Sequence, residues 1–159
     1  MNTINEILEV ARKEIARDFM KSLGLSPIYS MENLKKLQGK IINMEAAFCP
    51  YEILVLCIGF ILGETITNTV KVAKWNTDGA LDSNDVRVVL TDKKDPNQVL
   101  MNVFPFVRAK RFLKNIEYDL YYYARFIVET ASDNNKYESL IHKEKGEWHK
   151  NGPVEYRNL

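Results

Sequence analysis

The feature that most constrains this chain is an uninterrupted apolar run from Ile53 to Leu62, which follows Pro50 and Tyr51. Proline presets the backbone of a helix start, and nothing before Thr69 breaks the pattern, so the spacing predicts a helix from about Tyr51 to Thr69. A helix apolar on nearly every side belongs either in a bilayer or in the middle of a core. The stretch Ala46 to Ile66 has about the length of a membrane span, but Pro50, Glu52 and Glu64 interrupt it. The clean run is about half of the ~20 residues a span needs, and no second span follows. The expectation is the central helix of a soluble domain.

Within that helix, Gly59-Phe60-Ile61-Leu62-Gly63 is a G-x-x-x-G, which places two positions without side chains on one face. Each glycine costs a helix interior about 0.5–1 kcal/mol relative to alanine. Two on one face therefore mark a place where another element approaches closely. In a soluble chain this reads as packing before it reads as a helix-dimer seam.

The remaining pattern organises around this helix. Thr3 and Glu6 form a capping box, and Ile4, Ile7, Leu8, Ala11, Ile15, Phe19 and Leu23 recur at helical spacing until Gly24 supplies a stop. Ser30 is placed to cap a second helix, whose buried stripe is Leu34, Leu37, Ile41 and Met44. After Thr69 the apolar period shortens to two: Val70, Val72 and Trp75, then Val86, Val88 and Leu90, then Val99, Met101 and Val103. The connections Asn76–Asp85 and Asp92–Gln98 are too short for helical crossovers, so the strands should form an antiparallel meander. Pro105 ends the third strand, and Ala109, Leu113, Ile116, Leu120, Ala124, Ile127 and Val128 predict one long helix from Phe106 to Ala131.

The fold class expected is thus α+β, with three N-terminal helices, a three-stranded antiparallel meander and a long C-terminal helix packed on the sheet. A chain of 159 residues suits one domain. Residues 1–131 are read as that domain, and 132–159 as a polar extension with a short helix around Tyr137 to Lys145 and a loose end.

Composition narrows the functional classes. Twenty-two basic and twenty-one acidic residues leave a formal charge of +1, so no global field draws the protein to nucleic acid or to an anionic membrane. Met1 to Glu6 lacks the basic-then-apolar order of a secretory signal, and a cytoplasmic location is expected. Nucleophile elbows, phosphate loops, zinc-helix signatures and dinucleotide fingerprints are all missing, which weighs against the common enzyme classes and calls for no cofactor. Cys49 and Cys57 have no further cysteine to complete a metal knuckle and read as buried thiols. His142 and His149 sit in the polar tail without the fixed spacing a metal needs, so no metal site and no catalytic residue is assigned.

Three groups of residues remain as candidates. Glu64, where the apolar helix turns polar, would serve an enzyme if it faced a cleft with Trp75, although a single carboxylate without a positioned partner is a weak acid–base group. Asp78, Asp82 and Asp85 lie in a loop whose glycine and closing residue do not match a calcium-binding hand, leaving an acidic surface for a basic partner. Arg108, Arg111, Tyr118, Tyr122 and Arg125 recur at three-, four- and seven-residue steps, and on one helix they would share a face. Arginine and tyrosine are enriched at protein-interface hot spots, and the same pair can stack on single-stranded nucleic acid.

The order Gly59-x-x-x-Gly63-Glu64, then Trp75, Phe104-Pro105 and Lys110-Arg111, resembles the centre of small bacterial cytoplasmic proteins, some of which act as immunity proteins beside toxin genes. The resemblance covers roughly Ile53 to Leu113. It implies a helix followed by a meander, names no catalytic residue, and points to a protein partner such as a toxin domain whose active site would be covered. An enzyme centred on Glu64 and Trp75 and a nucleic-acid binder using Arg108, Arg111 and Arg125 are the alternatives.

Overall fold

The computed structural model describes residues 6, 9–10, 14–42, 50–76, 86–114, 119–132, 148–151 and 154–157. Its elements are α1 (Ala16–Ser22), α2 (Met31–Ile42), α3 (Tyr51–Thr69), β1 (Ala73–Asn76), β2 (Arg87–Thr91), β3 (Val99–Val103), α4 (Pro105–Lys114), α5 (Leu120–Ser132), β4 (Trp148–Asn151) and β5 (Val154–Arg157). The class is α+β with an antiparallel sheet.

The helix boundaries follow from local chemistry. At the end of α1, Gly24 takes a positive φ of 75°. That turn lets Gly24 N–H reach the Lys21 carbonyl and Leu25 N–H reach the Met20 carbonyl, both at 3.0 Å, the paired closure that only a residue without Cβ adopts at no steric cost. The start of α2 is capped by the Ser30 hydroxyl, which accepts from Asn33 N–H at 3.1 Å. Asn33 itself is buried, and its amide donates to the carbonyls of Ser26 (2.5 Å) and Ile28 (2.8 Å), fastening the bend that precedes its own helix.

Helix α3 is the centre of the molecule. Although long and apolar enough to cross a membrane by itself, it buries Val55 and the whole stretch from Cys57 to Ile66 inside the protein. Its two glycines explain how neighbours come so close. A Cβ on Gly59 would overlap the ring of Phe106 at the start of α4, and a Cβ on Gly63 would overlap the six-membered ring of Trp75 on β1. Phe60, Trp75 and Phe106 form a three-ring cluster over this face, with centroids 6.2, 5.1 and 6.1 Å apart. The G-x-x-x-G is therefore a double seat for aromatic rings, consistent with the packing reading.

The sheet order is β1-β2-β3-β5-β4, antiparallel throughout. Val88 and Leu90 of β2 turn into the core while Arg87, Val89 and Thr91 are half-buried, the alternation expected of a sheet covered on one side. Between β2 and β3 the register slips: Leu90 pairs with Met101, but Thr91 pairs with Val99, leaving Leu100 as an extra, bulged residue.

Two expectations are corrected. The predicted single helix from Phe106 to Ala131 is two helices, α4 and α5, and α3 makes the principal helix contact with β1 and β2. Asp119 is the physical reason for the second start: its carboxylate accepts from Tyr122 N–H at 2.8 Å and so caps α5. The meander has three strands as expected, but the C-terminal segment adds β5 against β3 and β4 outside it, so residues 148–151 and 154–157 belong to the sheet and are not a loose end. The proposed capping box at Thr3, the apolar positions Ile4, Ile7, Leu8, Ala11 and Met44, the helix around Tyr137 to Lys145, Cys49 and His142 lie outside the described residues.

Candidate functional site

The residues with interface chemistry gather where α2, α4 and α5 meet. Asp119 organises this junction. Besides capping α5, its carboxylate accepts from the Gln38 amide of α2 at 2.5 Å, while Gln38 Oε1 accepts from Tyr121 N–H at 3.0 Å. Its backbone carbonyl accepts from the Arg108 guanidinium of α4 at 3.3 Å. One acid thus ties three helices.

Arg108 lies 4.3 Å over the ring of Tyr123, half-buried between α4 and α5. Stacking of this kind holds the guanidinium plane flat on the aromatic face. Burial pushes the Tyr123 phenol far above its usual range, and the charges of Arg108 and Arg111 pull it back part of the way. The phenol is a neutral, buried group at physiological pH. Arg108 therefore works as an internal fastener, and Arg111 is likewise half-buried on α4.

Arg125 stands apart from both. It is exposed on α5, and its Nε donates to Glu129 at 2.8 Å, a bond that holds the guanidinium charged and oriented. On either side of it, one turn apart, Tyr122 is 64% and Phe126 40% exposed. Positions 122, 125, 126 and 129 follow helical spacing, so these four side chains make one outward face. Tyr122 meets the edge of the Tyr121 ring at a centroid distance of 5.6 Å, and Lys35 of α2 sits 5.3 Å above Tyr121, extending the patch with a second cation.

The five Arg and Tyr positions read from the sequence are thus divided. Tyr122 and Arg125 share the outer face of α5; Arg108 and Arg111 belong to α4, on the other side of the break, and do not share that face. Tyr118, Asp78, Asp82 and Asp85 lie outside the described residues. Phe126 was missed, because beside Ile127 and Val128 it reads as part of the apolar stripe. An earlier sign of the break was available in Asn115 and Asp119, a helix-stopping residue and a helix-starting one.

Glu64 is only 5% exposed, buried where the apolar helix ends. Its Oε1 accepts from Trp75 Nε1 at 3.1 Å, which locks the indole over Gly63. The carboxylate is a fastener beneath the aromatic cluster. A separate cleft of about 190 Å³ is lined by residues of β2, β3, the turn between them and the end of α5. Neither Glu64 nor Trp75 lines it.

No family model, curated protein or solved structure matches the chain, so the functional reading rests on this geometry.

Proposed function

We propose that this protein is a protein-binding domain whose contact surface is the outer face of α5, with Tyr122, Arg125 and Phe126 as anchors. The observation that carries the reading is the exposure of two aromatic side chains one turn apart around an arginine already oriented by Glu129. Aromatic and arginine side chains supply most of the energy at protein interfaces, since they bury large areas at a small entropic cost. Glu129 and the capped start of α5 hold part of the face in place before binding, which lowers the ordering cost further.

The finer reading is that the partner is a toxin domain neutralised by occlusion of its active site, as the resemblance to immunity proteins implies. Lys35 and Arg125 at this face would suit an acidic surface on such a partner. The test is a pull-down of the products of neighbouring genes by the folded protein and by a Tyr122→Ala, Phe126→Ala variant. Binding of one product by the parent, weakened at least thirtyfold in the variant, supports the reading. Equal binding by both proteins would place the interface elsewhere. The nucleic-acid alternative loses support because Arg108 is stacked on Tyr123 rather than exposed with Arg125.

A further inference from the structure

We infer that β3 carries a strand-acceptor edge through which two copies of this chain join, each giving its C-terminal hairpin β4–β5 to the sheet of the other. Three features of the fold lead there.

The first is the way the hairpin is held. β4 pairs with β5 from Trp148↔Arg157 to Asn151↔Val154, and β5 joins the body at Met101↔Tyr156, Asn102↔Glu155 and Val103↔Val154. Among the described residues the principal helix contacts go to other helices, β1 and β2, so β3 is the hairpin's chief attachment. A two-stranded hairpin is marginally stable at best on its own. The pair of strands is thus a unit that opens more easily than the core strands do.

The second is what β3 requires. Met101 and Val103 are buried core residues, and Asn102 between them is buried as well. Without β5 beside it, β3 would be an outer strand offering its N–H and C=O groups to any chain that fits. The strand whose register fits is β5, and every other copy of the chain carries it. Exchange breaks the three register pairs in one molecule and remakes the same three in another, so it costs no pairing energy.

The third is reach. Residues 133–147 connect Ser132 at the end of α5 to Trp148 at the start of β4. That length of chain spans at most about 50 Å, enough to set the hairpin on a neighbouring copy. Because both copies give and receive, the exchange closes as a two-fold dimer with no acceptor edge left over. A tether of this length gives an effective concentration on the order of 1 mM, so the dimer competes with the monomer as the protein approaches that concentration.

Asn102 and Glu155 are directly opposed on β3 and β5, where antiparallel Cα atoms lie within the range a disulfide bridges. Asn102→Cys and Glu155→Cys are made in separate full-length chains, which are mixed, unfolded in urea and refolded together at about 1 mM with oxidised glutathione. Mass spectrometry should find a peptide joined by a disulfide between the two substituted positions. Each chain carries only one of them, so that bond forms only across copies. Light scattering of the refolded parent should show about half of the chains dimeric at about 1 mM and nearly all monomeric at about 10 µM. The chain carrying both substitutions, oxidised when dilute, should close on itself and then remain monomeric at the higher concentration. A parent monomeric throughout, a dimer without the joined peptide, or a closed chain that dimerises as the parent does would each overturn the inference. Failure of the doubly substituted chain to close would remove the β3–β5 pairing and the inference with it.

Discussion

Replacing Gly63 by alanine tests the packing of α3 at its tightest point. In an open helix this change is favourable by about 0.5–1 kcal/mol, because alanine loses less backbone freedom on folding. At Gly63 the new methyl would occupy the space of Cζ2 and Cη2 of Trp75. The indole has little room to yield, since it is bonded to Glu64 and touches both Phe60 and Phe106. Overpacking of a closed site costs about 1–3 kcal/mol. Expelling the ring instead would forfeit a hydrogen bond to a charged group, about 1.5–3 kcal/mol, and ring contacts of about 0.5–1.5 kcal/mol each. The chain takes the cheaper route, and after the helix gain is subtracted the net loss comes to about 1 kcal/mol.

Gly39 supplies the control, because it is also inside a helix, α2, but a Cβ there meets nothing within 4 Å. Urea unfolding followed by circular dichroism should show Gly39→Ala more stable than the parent by about 0.5–1 kcal/mol and Gly63→Ala less stable by about 1 kcal/mol. In a Trp75→Phe background, where the overlapping atoms are gone, the cost of Gly63→Ala should largely vanish, giving a coupling energy of about 1–3 kcal/mol. The reasoning is refuted if Gly63→Ala stabilises as Gly39→Ala does, or costs the same in both backgrounds.

Tyr123 predicts an alkaline response. Its pKa is raised on folding, so its contribution is intact below the unfolded value near 10 and falls as pH rises above it, when only the unfolded phenol ionises. At pH about 11 the loss should be about 1.4 kcal/mol, and the difference between parent and Tyr123→Phe in urea midpoint should shrink accordingly above pH about 10. Asp119→Ala should cost about 1–3 kcal/mol in the same assay, more than a simple cap, because it removes the partner of Gln38 as well as that of Tyr122 N–H. Gly24→Ala should cost about 1 kcal/mol through the positive φ alone, measured as a lowered melting temperature.

The legibility of this fold in its sequence differs from element to element. Helix α3 was readable from Tyr51 to Thr69 because an apolar run after a proline has few ways to fold, and the spacing of Gly59 and Gly63 announced close packing. Which rings would fill those seats was not readable. Trp75 and Phe106 arrive from other elements, and only the tertiary fold brings them together. The break before α5 was hidden by an apolar stripe that continues in register through Ile116 and Leu120, which outweighed the stop and start residues around it. The C-terminal hairpin was obscured by polar composition, although Gly152-Pro153 is a turn signal. As for the candidate surface, Tyr122 and Arg125 were found by spacing, whereas Arg108 was misplaced because helical periodicity cannot see a stacking partner on another helix.

The most direct test of the proposed protein-binding surface is the affinity of the purified protein for the product of a neighbouring gene, measured by calorimetry for the parent and for Tyr122→Ala, Phe126→Ala. Removing two aromatic anchors should cost about 2 kcal/mol or more, at least a thirtyfold weakening, while the urea midpoint stays close to that of the parent. Affinity unchanged in a folded variant, or no binding of any neighbouring product by the parent, would contradict the assignment of α5 as the contact face.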